Sequence, residues 1–275
     1  MKYIFYLHIL LFTYLTTFSQ IKSAEVINSP VQNHAFNLGE KMTYKLNYAF
    51  TAGYGVVEVK PDYKKVNGKV CYQTTIVGVT SKFFDVILKV RDSWTSLIDT
   101  ATILPEKFIR IVSEGKYNKT EVSTFDKKNK SVSVLSKEKQ KQKIEVFQTP
   151  PHTHDIVSIY ASMRNLDYSS LKVGDYFYIN TFFEDKVYKL KVRFLGRENL
   201  NTQFGTFKTF IMAPVMPKNR IFKGEDAIKF WVTDDLNKML LQAKLKIKVI
   251  PGTNANLKLT SFKGLKYPLT SKIAD

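Results

Sequence analysis

Cysteine is nearly absent: Cys71 is the only one in 275 residues. A lone thiol rules out an internal disulfide. In the setting Val70-Cys71-Tyr72 it reads as a small buried hydrophobe in a strand, not a nucleophile. The motifs that announce common chemistries are missing too. There is no Gly-x-Ser-x-Gly elbow, no phosphate-binding glycine loop and no Cys-x-x-Cys pair. The only histidine cluster is His152 and His154 beside Asp155, and its spacing matches no recognised zinc motif. It reads as the start of a helix. Glu225 and Asp226 are adjacent carboxylates, whereas glycoside hydrolysis needs two carboxylates set apart across the scissile bond. They read as a turn or as a partner for Arg220.

Long apolar runs are also lacking. Residues 4–12 are mostly apolar after Lys2, but polar residues from Thr13 onward interrupt the run. A membrane-spanning helix needs roughly 20 apolar residues. The pattern predicts a cleaved secretory signal over 1–24, with cleavage after Gln20 or Ala24, in preference to an uncleaved anchor. No cysteine lies near that point, so nothing suggests a lipid-modified N-terminus. The remaining chain of about 250 residues is long enough for a sizeable core.

What is present is aromatic, apolar and basic. The chain is 44% hydrophobic and 13% aromatic, which argues against disorder. Its net charge is +18, or about +16 without Lys2 and Lys22. Such a charge permits attraction to nucleic acid, anionic lipid or acidic glycan; for an exported protein nucleic acid is the weakest of the three. Lysines 127, 128, 130, 137, 139, 141 and 143 form a dense basic zone, read as the solvated face of a long hairpin. It lacks the aromatic spacing of a nucleotide-stacking surface.

Alternation with period two recurs along the chain. In the stretch 41–60, Met42, Tyr44, Leu46, Tyr48 and Phe50 oppose Lys41, Thr43, Lys45 and Asn47, a strand with one buried face. The break at 51–53 predicts a hairpin turn, with return over 55–60. Asn67-Gly68 is a type I′ turn candidate. Further strands are expected over 70–79, 83–90, 107–113, 120–125, 131–135, 176–182, 187–194, 206–213, 227–232, 241–249 and 257–262. A polar loop is expected over 196–202. One convincing helix lies within 153–166, where Ile156, Ile159, Tyr160, Met163 and Leu166 recur at helical spacing. Thr153 or Asp155 would cap its start, and Arg164 suits its opposite end.

These elements predict a mainly all-β fold: an antiparallel meander forming a barrel or strongly curved half-barrel, with one amphipathic helix near the middle. Residues 25–37 read as an N-terminal arm and 38–266 as the domain, with two sub-halves joined by the helix. Residues 267–275 read as a loose tail. An apolar concavity in such a sheet would hold a ligand, and Tyr44, Tyr48, Tyr54, Trp94, Tyr160 and Trp231 are candidate wall residues. Arg91 beside Trp94 would add a cation at the mouth; the simpler reading is a strand end with a local Arg-Asp pair.

In order, TAGYGVVEVK, VRDSWTSLID, DIVSIYASMRNLD and FKGEDAIKFWVTDD resemble the DUF3108 family of exported bacterial proteins, especially its Bacteroidota versions. The resemblance covers about residues 38–266. It departs at Tyr54, where a smaller residue is expected in many members. It implies a β-rich protein of the periplasm or outer membrane, without an assigned function, catalytic residue or cofactor. The leading expectation is a non-enzymatic envelope protein holding an apolar or amphiphilic ligand, with peripheral membrane contact and no nucleic acid. The alternatives are an envelope hydrolase of glycan or peptide, built on the His152–Asp155 and Glu225–Asp226 groups, and a basic module binding anionic lipid or polysaccharide.

Overall fold

Most of the alternating segments are strands in the computed structural model, which describes residues 23, 25–27, 30–48, 50–215, 227–246 and 254–274. The expected signal segment, apart from Ser23, lies outside the described residues, as do Arg220, Glu225 and Asp226. The first half of the chain forms β1 (Lys41–Tyr48), β2 (Phe50–Val59), β3 (Lys64–Val66), β4 (Lys69–Thr80), β5 (Arg91–Asp99), β6 (Pro105–Glu114), β7 (Tyr117–Asp126), β8 (Ser131–Glu138) and β9 (Lys141–Gln148). The second half forms β10 (Tyr176–Phe183), β11 (Lys186–Thr202), β12 (Gly205–Pro214), β13 (Ile228–Thr233), β14 (Leu240–Lys246) and β15 (Asn254–Lys263). Helix α1 (Lys82–Asp85) is a single turn, and α2 (Ile156–Met163) joins the two halves.

All strands belong to one antiparallel sheet, ordered β10-β11-β12-β13-β14-β15-β1-β2-β4-β5-β6-β7-β8-β9, with β3 beside β4. The last strand pairs with the first, so the two halves meet at the sheet centre through β15 and β1. The outer edges β9 and β10 are consecutive in the chain and are not hydrogen-bonded to each other. The sheet is therefore an unclosed, curved barrel. Curvature brings Met42 and Tyr44 of β1 into one apolar cluster with Phe207 of β12, four strands away. At the open seam, Phe147 of β9 meets Phe182 of β10 at a ring separation of 5.3 Å.

An open edge strand is a template for unwanted pairing, and β10 is covered. The N-terminal arm forms a parallel bridge from Val26 to Tyr178, and His154 forms another to Thr181. Ile27, Val31, Ala35 and Phe36 of the arm are buried. Residues 267–274 are docked where a loose tail was expected over 267–275: Lys272 bridges to Phe207, and buried Ser271 donates to Asp235 at 2.7 Å.

Four local expectations need correction. The first turn falls after Tyr48, not at 51–53, because Tyr48 already faces Phe50. Gly53 marks a close strand approach instead: a Cβ there would sit 2.3 Å from the Val79 carbonyl oxygen. The 83–90 strand is replaced by α1 and a turn, giving two helices where one was expected. Ser81 caps α1, and Asp85 is held by Arg91 Nη2 at 2.5 Å and Thr80 Oγ1 at 2.5 Å. Arg91 therefore pairs with Asp85, while Asp92 accepts from the Ser113 amide at 2.9 Å. The polar loop at 196–202 is the outer part of β11. A bulge beside Gly196 (φ 118°) lets that segment continue pairing with β12. The Asn67-Gly68 turn is as expected, with both residues at positive φ, 50° and 76°.

Helix α2 is tied to the sheet at its start. Asp155 is the N-cap, accepting from the Val157 and Ser158 amides at 2.7 and 2.8 Å, while Ser158 Oγ closes a capping box. Ser96 Oγ on β5 donates to the same carboxylate at 2.6 Å. Burial pushes the Asp155 carboxyl up to about 6, against these hydrogen bonds. Its neighbour His154 is pushed down to about 3, by burial first and then by His152 and Lys127. The two groups have opposite linkage. Neutral His154 stabilises the fold above its unfolded value near 6.5, and that contribution is lost as pH falls through 3. Protonated Asp155 stabilises it below 3.8, and that contribution is lost as pH rises through 6. Between about pH 4 and 6 the slopes cancel. His154→Gln should uncover the Asp155 slope, so stability falls about 1.4 kcal/mol per pH unit more steeply than in the parent over that window. Urea unfolding at pH 4, 5 and 6 measures this; parallel profiles for the two proteins would refute it.

Candidate functional site: a cavity beneath helix α2

Between α2 and the inner sheet face lies an apolar cavity of about 280 Å³. Seven neighbouring strands, β12 through β4 in sheet order, supply its wall. Tyr44 (β1), Val57 (β2) and Ile76 (β4) line one side, and Met212 (β12), Phe230 and Val232 (β13) the other. The roof is the inner stripe of α2: Ile156, Ile159, Tyr160 and Met163, at the i, i+3, i+4, i+7 spacing of one helix face. Gly55 on β2 opens the floor by having no side chain. At roughly 30 Å³ per water the space equals about nine waters.

Polar groups sit at one end. Arg164, the C-cap of α2, and Lys238 line the cavity. Arg164 is 3% exposed and forms a two-pronged ion pair with Glu40, itself 1% exposed, with one prong at 3.0 Å. It also donates to the Asn237 and Ala35 carbonyls at 2.8 and 3.1 Å. Its guanidinium lies 5.6 Å from the ring centres of Phe36 and Tyr160. Burial opposes the charge, but Tyr160 and Glu40 outweigh it and the pKa is raised. Lys238 is 8% exposed, and burial lowers its pKa against attraction from Asp167, Asp235 and Asp234. Burial also raises both the Tyr44 and Tyr160 phenols, so neither is charged at neutral pH. Tyr44 donates to the Leu240 carbonyl at 3.0 Å, and Tyr160 Oη points at Met42 Sδ, 3.6 Å away.

Of the candidate wall residues named from the sequence, the cavity brings together Tyr44 and Tyr160, beside Ile156, Ile159 and Met163 of the helix stripe. Trp94 lies on the same sheet face as the wall residue Ile76 but one strand beyond the cavity: it pairs with Ile76 across β4–β5 and packs 6.3 Å from the Phe183 ring. Trp231 faces the opposite side of β13 from Phe230 and Val232, donating to Glu198, with Lys244 5.1 Å from its ring. Tyr54 is 44% exposed on the outer face. Arg91 is engaged by Asp85 and does not flank Trp94's ring, and Tyr48 lies at the far end of β1 outside the cavity. Sequence reasoning missed Met212, Met163, Leu240, Leu257 and Gly55 as wall residues, and Arg164 and Lys238 as its cations. The helix stripe carried a signal for Met163; Lys238 carried none.

The histidine cluster is divided between the start of α2 and a separate depression. His154 is buried beside Ser158 Oγ at 3.2 Å, and Asp155 is committed to the helix cap. His152 lines the separate depression with Lys127 and Lys130. Among the described residues no group of three His, Cys, Asp or Glu side chains is placed to hold a metal. Cys71 is buried, and burial pushes its thiol up to about 11. In the basic zone, Lys127 turns inward to Glu106, while Lys137, Lys139, Lys141 and Lys143 are exposed.

A model of the family described as "Protein of unknown function (DUF3108)" matches residues 41–260. No curated protein matches the chain. A β-barrel-like protein of the unknown-function family DUF1849 from Brucella abortus shares the fold: TM-score 0.55, 10% identity, covering 83% of this chain and 98% of that one. A proposed lipoprotein from Parabacteroides distasonis overlaps 85% of this chain and 99% of its own, at 11% identity and a TM-score of 0.34. Among the described residues no helix is long and apolar enough to cross a membrane.

Proposed function

The chain belongs to the DUF3108 family, whose function is unassigned, and from that premise we propose that it is a non-enzymatic envelope protein that holds the apolar chain of a small anionic amphiphile beneath α2. One observation carries the reading: a cavity of about 280 Å³ walled almost wholly by aliphatic and aromatic side chains, with two cations at its margin. Folding normally closes such space, because empty apolar volume forfeits packing. A cavity below roughly 300 Å³ is small for a drug-sized ligand, so it suits a short acyl chain or the end of a longer one. Burying a methylene is worth about 0.8 kcal/mol, so eight of them supply roughly 6 kcal/mol. That is less than the ~8 kcal/mol of a micromolar complex, and association costs place a short single chain in the high-micromolar range or weaker. Lys238 and Arg164 give the reading its anionic preference by position, since both cations line the same end of an otherwise apolar space.

The test is displacement of an environment-sensitive fluorescent fatty acid by unlabelled chains of increasing length. Saturable one-site binding is expected, with decanoate competing at least tenfold better than decanol at neutral pH. Absence of saturable binding would overturn the reading; equal competition by acid and alcohol would remove its anionic part.

A further inference from the structure

Residues 81–90, which include the strand expected over 83–90, carry the largest run of exposed apolar surface among the described residues. Loops normally take polar and turn-forming residues. Here the sequence is Ser-Lys-Phe-Phe-Asp-Val-Ile-Leu-Lys-Val. Phe83 is 63% exposed, Val86 88%, Ile87 72% and Leu88 47%. Scattered exposed apolar residues are ordinary, but four within six positions form a patch that calls for a partner.

The patch is a firmly based tip. Ser81 Oγ donates to the Thr51 carbonyl at 2.8 Å, and the Ser81 amide to the Ala52 carbonyl at 2.9 Å. The Ile87 and Leu88 amides close a turn on the Phe84 carbonyl at 2.9 and 2.8 Å. On the other side, the Gly115 amide donates to the Lys89 carbonyl at 2.8 Å, which joins the tip to the β6–β7 turn. Asp85 could repel an anionic surface, but Arg91 neutralises it.

The rim decides what covers the tip. Lys82 and Lys89 flank the apolar run and are exposed, as are Lys116 and Tyr117 on the adjoining turn. Besides Asp85, Glu114 and Asp92 are the acidic side chains at this rim; burial first and then Asp92 raise the Glu114 pKa. Apolar side chains ringed by lysines and a tyrosine match the layering of a bilayer interface: acyl region, aromatic belt, anionic head groups. We propose that the 81–90 tip inserts into the interface of an anionic lipid bilayer, with Phe83, Val86, Ile87 and Leu88 as the inserted residues and Lys82, Lys89 and Lys116 on the head groups. This assignment does not depend on the cavity beneath α2.

The experiment is co-sedimentation of the full chain with vesicles of phosphatidylglycerol or phosphatidylcholine, with light scattering on the same samples. The parent should partition onto phosphatidylglycerol at least tenfold more than onto phosphatidylcholine. Val86→Asp/Ile87→Asp should lower that partition at least tenfold while leaving the unfolding midpoint unchanged, because neither side chain is in the core. Ile87→Trp should add blue-shifted emission with vesicles, quenched by brominated acyl chains. No parent binding, unchanged binding by the double variant, or an unquenched Ile87→Trp signal would each overturn the proposal. So would a loss of dimer mass in the double variant without loss of vesicle binding, since a second copy would then be covering the tip.

Discussion

Arg164→Met is expected to lower folding stability by about 3–5 kcal/mol, the usual cost of stranding one half of a buried ion pair. Glu40 would remain at 1% exposure with its charge uncompensated, and the Asn237 and Ala35 carbonyls would each lose a donor. The effect reaches beyond stability, because Arg164 caps the C-terminal end of α2. Asp155 ties the other end to Ser96, so the cavity roof is clamped at both ends by buried polar groups. Glu40→Gln should be milder, since the amide keeps the size and an acceptor for the guanidinium. The double variant Arg164→Met/Glu40→Leu should recover a large part of the loss, as replacing both charges removes two desolvation costs together. Urea denaturation of the three variants reads this directly. If Arg164→Met cost less than about 1 kcal/mol, the pair would be a bystander and the roof would be held by packing alone.

Gly55→Leu is expected to weaken binding of the fluorescent fatty acid at least tenfold with little change in the unfolding midpoint. A Cβ at Gly55 would meet only the Val77 carbonyl oxygen at 3.8 Å and Tyr44 Cβ at 3.9 Å, ordinary contacts, and its φ lies outside the left-handed region. The new side chain would therefore enter open space that Gly55 lines. Gly53, two residues earlier in the same strand, is the contrasting case. Its Cβ would collide with the Val79 carbonyl oxygen, so even Gly53→Ala must push β2 away from β4 and destabilise the fold. One glycine leaves room for a ligand and the other leaves room for a neighbouring strand. Binding that survives Gly55→Leu would mean that the ligand lies elsewhere.

The strands were legible where one face is wet and the other dry, as in β1, because period two then separates lysine from aromatic residues. Helix α2 was legible for the same reason, with period 3.6 in place of two. The 81–90 segment misled because Phe83, Val86, Ile87 and Leu88 have strand-like composition, while the choice between strand and turn fell to Ser81 and Asp85, whose partners Thr51 and Arg91 become neighbours only in the fold. The break at 51–53 misled because glycine serves close approach as readily as it serves turns. Of the candidate wall, Tyr44 and Tyr160 were readable as inward aromatics on their own elements. Trp231 was not, since which face of β13 is inner depends on pairing with β12 and β14. The Arg164–Glu40 pair joins positions 124 residues apart, a separation that no local pattern encodes.

The most direct test of the central claim is a crystal structure of the full chain soaked with bromodecanoic acid labelled at the terminal carbon. The account predicts one anomalous bromine peak beneath α2, among Tyr44, Ile156 and Met163, with the carboxylate directed toward Lys238. A bromine peak outside this space, or an unoccupied cavity at saturating ligand, would contradict it.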